Sequence, residues 1–167
     1  MGRQAEQDDE VVRTVHSTAI RVHHVVWCVR AKSLPRLQRY WEDALGVPLA
    51  AFDVDEAGIS VLMSWDAGVE IIAPSANPGE LTAFIESFLE TKGESVFSAV
   101  YEVANLDAAV QKAVAAGAIV VFEELIEPEL LASRMGWPSD HQSFRVRQAV
   151  LIEYLGTTVC LQEARPT

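Results

Sequence analysis

Two adjacent histidines, His23 and His24, lie in the segment RVHHVVWCVR near the start of the chain. The Val, Trp and Cys residues around them predict a β-strand, and side chains in a strand point alternately to its two faces. The two imidazoles are therefore expected on opposite faces, with His24 directed inward and His23 outward with Trp27. Imidazole binds divalent metals, transfers protons near neutral pH or packs in a core, and the strand alone leaves all three roles open.

The elements after this strand predict a first structural unit over residues 21–75. The segment SLPRLQRYWEDALGV predicts a helix, because Ser33 suits its N-cap, Pro35 its first turn and Gly46 its end. Three short strands follow in PLAAFDVDE, GISVLMSW and GVEIIAP, separated by glycine or acidic turn residues. The order of elements is βαβββ.

The same order recurs later in the chain. PGELTAFIESFLETKGE predicts a linker helix over residues 76–94, and residues 95–167 repeat the pattern in SVFSAVYEV, NLDAAVQKAVAAG, AIVVFEELIE, RVRQAVLIEYL and TTVCLQEA. The second unit carries an insertion over residues 127–144, and residues 1–20 are expected to form a partly mobile lead-in. The repeat predicts an α+β fold of two tandem βαβββ units whose curved sheets pair around a central cavity.

Composition excludes several classes of protein. The chain has 167 residues and a formal net charge of −11, which disfavours nucleic acid as a partner. No run approaches the roughly 18 apolar residues of a membrane span, and the first 20 residues lack the apolar core of a secretory signal. Cys28 and Cys160 are expected to be free thiols in a reducing compartment. These features predict a cytoplasmic protein that binds neither nucleic acid nor membranes, and the acidity favours solubility or a cationic ligand.

Four segments together resemble a known superfamily. They are HHVVWCV, YWEDALGVPL, GVEIIAP and YEVANLDAAVQKAVAAGA, and the resemblance extends over residues 21–163. They resemble the vicinal oxygen chelate superfamily, which includes glyoxalase I, extradiol dioxygenases and bleomycin-resistance proteins, and the pattern is most similar to the branch of methylmalonyl-CoA epimerase. The resemblance implies the paired βαβββ fold but not one function, since this fold hosts many chemistries.

The resemblance also implies where a metal site would lie. Metal-dependent members place one ligand on the first and last strand of each unit, which matches His24 and Glu70 here. The corresponding positions of the second unit carry Ser98, 74 residues after His24, and Cys160, 90 residues after Glu70. Because a serine hydroxyl is a poor ligand for these metals, we expect no metal cofactor. A single divalent metal held by His24, Glu70 and Cys160 is the alternative, since zinc accepts all three donor types.

Without a metal, the same positions predict acid/base chemistry. His24 and Glu70 are expected to lie close together on neighbouring strands, and a carboxylate beside an imidazole fixes its tautomer and raises its basicity. Counting by two from Ser98 brings Val100 and Glu102 to the same inner face. Glu102 is predicted as a second catalytic carboxyl in an apolar pocket, or alternatively as a residue at the rim that pairs with an arginine.

The remaining predicted site residues would contact the ligand. Trp65 is expected near the rim of the cavity, and the insertion supplies two aromatic residues and a histidine that could cover it. The full set of predicted ligand-binding residues is Ser98, Val100, Trp65, Trp137, His141, Phe144 and Cys160.

Three functions remain open at this point. The protein binds a small organic molecule in its cavity and performs metal-free epimerase-like or lyase-like proton transfer, or it is a metal-dependent epimerase, isomerase or dioxygenase. Alternatively, it sequesters an antibiotic or toxin without catalysis. The outward-facing Trp27 predicts a homodimer, and the resemblance to the superfamily, whose members commonly form dimers, implies the same.

Overall fold

The strands and helices follow the predicted order along the chain. The structure, a computed structural model, describes residues 21–136, 144–154 and 157–166. Within these residues it contains the strands β1 (Arg21–Cys28), β2 (Ala50–Val54), β3 (Ile59–Ser64), β4 (Val69–Pro74), β5 (Ser95–Glu102), β6 (Ile119–Ile126), β7 (Phe144–Tyr154) and β8 (Thr157–Pro166). The helices are α1 (Leu34–Arg39), α2 (Thr82–Lys92), α3 (Leu106–Ala115) and α4 (Pro128–Met135).

All eight described strands form one curled sheet in the order β2-β3-β4-β1-β5-β8-β7-β6. Each βαβββ unit contributes four neighbouring strands, and the two units join where β1 pairs with β5 in antiparallel orientation. Within each unit the first strand pairs in parallel with the last, β1 with β4 and β5 with β8. The predicted α+β fold with a tandem βαβββ repeat is confirmed.

Helix boundaries agree with the local sequence signals in part. Asn105 caps α3, because its side-chain oxygen accepts a hydrogen bond from the backbone N–H of Ala108 at 2.9 Å. Ser33 was expected to cap the first helix, but its hydroxyl instead donates to Glu94 at 2.6 Å. The predicted single helix is also divided, since α1 continues into a π-helical turn over Tyr40–Ala44.

The curled sheet buries side chains on both faces. On the concave face, Ile85 and Leu89 of the linker helix α2 pack into the largest core cluster with Phe97 of β5. On the convex face, α1 packs over one unit and α3 over the other, each against a separate apolar cluster. Helices α1 and α3 therefore cover the outside of the sheet, whereas the concave face encloses a cavity.

The insertion does not begin as a loop. Its first part forms α4, with Pro128 in the first turn and Gly136 in the left-handed conformation (φ 64°) after the last. Proline at a helix start and glycine after its end are sequence signals that would have predicted this helix.

No helix among the described residues is long and apolar enough to cross a membrane. Trp27 is 41% exposed on the outer side of the central strands, and the homodimer stays a prediction.

Candidate functional site

A cavity lies on the concave face of the sheet between the two units. Its volume is about 80 Å³. Most of its walls are apolar, and eight polar or charged side chains reach it: His24, Glu70, Ser98, Glu124, Arg134, Gln148, Cys160 and Gln162. A mostly apolar cavity with a few polar groups is typical of a site for a small organic ligand.

His24 and Glu70 meet in this cavity. The Nε2 atom of His24 lies 2.9 Å from Oε2 of Glu70, on the adjacent parallel strands β1 and β4. The His24 side chain is 2% exposed and that of Glu70 is 20% exposed. The carboxylate therefore keeps contact with the open part of the cavity, whereas the imidazole is enclosed behind it.

The second histidine does not point away from the first. In β1, Val22 pairs with Tyr101 and His24 with Val100, so His23 is an extra residue in a β-bulge. A bulge re-aims side chains, and here the Nδ1 atoms of His23 and His24 lie 2.8 Å apart. The His23 ring also packs edge-on against Trp65, with ring centroids 4.4 Å apart. The expectation of opposite faces was wrong because it assumed an unbroken strand.

These contacts join His23, His24 and Glu70 in one hydrogen-bonded chain. In the His24 tautomer with its proton on Nε2, that N–H donates to Glu70 and Nδ1 accepts from Nδ1–H of His23. Burial, followed by the neighbouring His24, lowers the pKa of His23, which favours the neutral form of that ring. Both nitrogens of His24 are thus engaged within the protein.

The positions that correspond to His24 and Glu70 in the second unit also reach the cavity. Across the join between the units, His24 pairs with Val100 and Val26 pairs with Ser98. On the outer side of these two strands, Glu70 pairs with Val26 and Cys160 pairs with Val100. The sheet therefore places Ser98 and Cys160 at the repeat-related positions that the spacing implied. Val100 is 1% exposed and forms part of the wall.

Two of these four positions carry groups that readily bind a divalent metal, His24 and Glu70, whereas Ser98 offers a neutral hydroxyl. Burial, with Glu70 and Glu124 nearby, raises the pKa of the Cys160 thiol above its ordinary value. Its Sγ faces Oε1 of Gln148 at 4.0 Å. Across the described residues, no three His, Cys, Asp or Glu side chains are grouped to hold a metal ion. His24 and Glu70 remain as two suitable ligands, and they bind each other.

Glu102 lies away from the cavity wall. It ends β5 and forms an ion pair with Arg21, with Oε2 2.8 Å from Nε and 2.6 Å from Nη2 of the guanidinium. Its side chain is 29% exposed. The expected apolar pocket around this carboxyl is absent, and the alternative arrangement, a rim residue paired with arginine, is the one observed.

The insertion contributes to the cavity through α4. Leu131, Arg134 and Met135 line the wall, and α4 packs on β2 and β7. Phe144 is partly buried in a neighbouring apolar cluster that includes Trp65, and Trp65 itself lines the cavity. Trp137 and His141 lie outside the described residues, so their predicted contacts with a ligand stay predictions.

Sequence reasoning missed a second polar group in the wall. Glu124 accepts hydrogen bonds from Arg134 at 2.8 Å and from Gln148 at 2.9 Å. Gln162 lies beside Gln148 on the next strand and is 1% exposed. Because alternate residues of a strand share a face, the position of Gln162 two residues after Cys160 would have predicted it in the wall. The contacts among Glu124 on β6, Arg134 on α4 and Gln148 on β7 have no local signal in the sequence.

Comparison with known proteins supports the fold but supplies no close relative. No family model and no curated protein matches the chain. Among solved structures, a hypothetical protein from Bacillus halodurans has a TM-score of 0.60 at 15% identity and covers 89% of this chain and 97% of its own. Methylmalonyl-CoA epimerase from Mycobacterium tuberculosis has a TM-score of 0.57 at 19% identity, with coverages of 92% and 95%.

A third similar structure is a mutant 4-hydroxymandelate synthase from Streptomyces coelicolor, with a TM-score of 0.57 and 16% identity. The match covers 89% of this chain and 50% of the synthase. These neighbours have the vicinal oxygen chelate fold, and the chain shares it, as the resemblance predicted.

Proposed function

We propose that the cavity binds a small organic molecule with a carbonyl group and that Glu70 moves a proton on the carbon next to that carbonyl. The observation that carries this proposal is the buried His24–Glu70 hydrogen bond of 2.9 Å inside the cavity. Structural neighbours whose names denote an epimerase and a synthase support it at the level of the fold.

Glu70 is the group that exchanges the proton, and His24 is a positioning residue. Both ring nitrogens of His24 are engaged, one by His23 and one by Glu70. The carboxylate is the more exposed partner of the pair and accepts only one of its possible hydrogen bonds from His24. Its remaining acceptor capacity faces the cavity, where a ligand C–H would lie.

Proton exchange on small carbonyl compounds tests the proposal. Purified protein is incubated in D₂O with cyclopentanone or S-ethyl thiopropionate, and deuterium at the carbon next to the carbonyl is followed by ¹H NMR. We expect exchange above the buffer rate, reduced at least about 100-fold by Glu70→Gln, because general base catalysis contributes a factor of this order. Gln keeps an acceptor for His24 but cannot take the proton.

Two further variants separate the possible causes. Glu86→Gln removes a carboxylate from an exposed position on α2 and serves as the matched control. Glu102→Gln tests the competing carboxyl, and loss of exchange in this variant with retention in Glu70→Gln would overturn the assignment. Binding of the probes without any exchange in the wild-type protein would exclude the catalytic half and leave sequestration, the non-catalytic alternative.

A further inference from the structure

Gln162 has a buried side-chain amide nitrogen with no hydrogen-bond partner. It lies on β8, is 1% exposed and lines the cavity. Its Nε2 atom is the one buried side-chain nitrogen or oxygen among the described residues that has no partner. Because an unsatisfied buried donor costs free energy, such a group in a native cavity calls for an acceptor that the protein itself does not supply.

The neighbouring polar groups are already engaged with each other. Gln148 pairs directly with Gln162 across β7 and β8, but its Nε2–H donates to Glu124. The second oxygen of Glu124 accepts from Arg134, whose guanidinium also lies 5.5 Å from the centre of the Phe52 ring. This network leaves the Nε2–H of Gln162 without an acceptor among the polar groups of the wall.

Gln162 and His24, the hydrogen-bond partner of Glu70, lie on the same concave face. His24 on β1 pairs with Val100 on β5, and Val100 pairs with Cys160 on β8. Gln162 follows Cys160 by two residues, so it is separated from His24 by two strand spacings and two residues of strand rise. Strand spacing and rise place the two Cα atoms roughly 12 Å apart on one concave face. A ligand of a few non-hydrogen atoms fits between their side chains, since 80 Å³ holds about five or more water molecules.

We propose that Gln162 binds the carbonyl oxygen of the ligand through Nε2–H, on the side of the ligand opposite the His24–Glu70 pair. This inference rests on the proposed function and deepens it. As Glu70 takes the proton, the C–H electron pair forms the C=C bond of an enolate and the carbonyl π pair moves to oxygen. A donor aimed at that oxygen stabilises the charge that develops there, and return of a proton to the same carbon restores the carbonyl.

The charges of the cavity disfavour an anionic ligand. Glu70 and Glu124 place two carboxylates in the wall, and Arg134 already pairs with Glu124. A ligand carboxylate would meet like charge without a free guanidinium among the described lining residues. The chemical class is therefore a ketone, thioester, ester or amide that carries no carboxylate and has a small apolar body.

A matched pair of probes tests the carbonyl contact. Cyclopentanone and methylenecyclopentane have nearly the same shape, but only the ketone accepts a hydrogen bond. In ¹H–¹⁵N NMR titrations of the whole protein, cyclopentanone is expected to shift the Gln162 side-chain NH₂ signals, whereas methylenecyclopentane shifts signals of the apolar wall alone. Gln162→Met should lower the affinity for cyclopentanone roughly 2- to 10-fold, the range of one neutral hydrogen bond. The affinity for methylenecyclopentane should not decrease.

Stability distinguishes this role from a structural one. Met fills similar space without an unsatisfied donor, so Gln162→Met is expected to melt at the same or a higher temperature in the absence of ligand. Gln162→Leu is a second variant with the same expectation, and Gln38→Met on α1, outside the cavity lining, controls for the substitution.

The outcomes separate this inference from the proposed function. If both probes bind and Gln162→Met leaves the affinity for cyclopentanone unchanged, the carbonyl contact is overturned and the cavity site stands. If Gln162→Met lowers the affinity for cyclopentanone while Glu70→Gln leaves the rate of proton exchange unchanged, the carbonyl contact stands and the role of Glu70 is overturned. If neither probe perturbs a signal of the cavity, both proposals are overturned.

Discussion

His23 and His24 are adjacent in β1, yet their Nδ1 atoms lie 2.8 Å apart and share a hydrogen bond. The bulge that allows this has a counterpart in the second unit: Val26 pairs with Ser98 and Trp27 with Val96, which leaves Phe97 unpaired. Phe97 follows His23 by 74 positions, the same spacing as Ser98 from His24. The repeat has therefore kept the bulge in both halves but uses it for histidines in one and for an aromatic core residue in the other.

The turn before β4 should be sensitive to a side chain at Gly68. Gly68 has φ +65°, and a Cβ there would lie 3.2 Å from the backbone oxygen of His23. Gly46 has a similar φ of +67° but open space around it. We expect Gly46→Ala to lower the free energy of unfolding by about 1 kcal/mol through the positive φ alone, and Gly68→Ala to lower it by more. Chemical denaturation measures both values.

The imidazole signals provide a second measurement for the same pair of variants. Gly68→Ala should shift the ring resonances of His23 and His24, because the bulge must move, whereas Gly46→Ala should leave them in place. Equal losses of stability with unchanged imidazole signals would show that the turn does not support the bulge.

The two thiols should be unreactive in the folded protein. Burial, followed by the nearby Glu94, raises the pKa of Cys28 to about 12, and burial raises that of Cys160 as well. At pH 8 about one Cys28 in ten thousand is then a thiolate. We expect no labelling by iodoacetamide within hours at pH 8 and complete labelling of both residues in denaturant. A melting temperature that changes with reductant would contradict free thiols.

Purified protein should contain well under one equivalent of tightly bound zinc, iron, manganese or nickel. The positions related by the repeat to His24 and Glu70 carry the hydroxyl of Ser98, a poor metal ligand, and the buried thiol of Cys160. Elemental analysis of protein purified without chelator measures the content. Stoichiometric metal that disappears in His24→Ala or Glu70→Ala would instead establish the metal-dependent alternative.

Glu94 should contribute to stability in a pH-dependent way. Its carboxylate accepts from the Ser33 hydroxyl at 2.6 Å and from the backbone N–H of Arg30 at 3.0 Å. The Ser33 hydrogen bond, followed by that of Arg30, lowers the pKa of Glu94 below its ordinary value of 4.5. A lowered folded-state pKa stabilises the protein above that ordinary value, and the contribution disappears as pH falls through the folded-state value.

Glu94→Gln should therefore be less stable than wild type at pH 7, by less than about 1 kcal/mol because the group is exposed. The difference should shrink as pH falls below about 4.5. Thermal unfolding from pH 7 to pH 3 measures it, with Glu90→Gln on the exposed face of α2 as the control. A constant difference across this range would mean that packing rather than ionisation causes the loss.

Much of the architecture was predictable because it depends on local periodicity. The alternation in β1 and GVEIIAP, the capping by Asn105 and the second occurrence of βαβββ all follow from residues near each other in the chain. The meeting of His24 and Glu70 also followed, since parallel pairing of the first and last strands of a unit is a property of the repeat.

The sequence by itself thus determined the fold, the repeat and one half of the polar wall of the cavity. Tertiary structure alone decided the histidine–histidine contact, because the bulge depends on how β5 pairs with β1 and not on the amino-acid sequence of β1 by itself. It also decided the Glu124–Arg134–Gln148 network and the isolated amide of Gln162. These groups come from β6, α4, β7 and β8, and only the register of the curled sheet brings them to one surface, since hydrogen bonds across strands have no periodic signature in the chain.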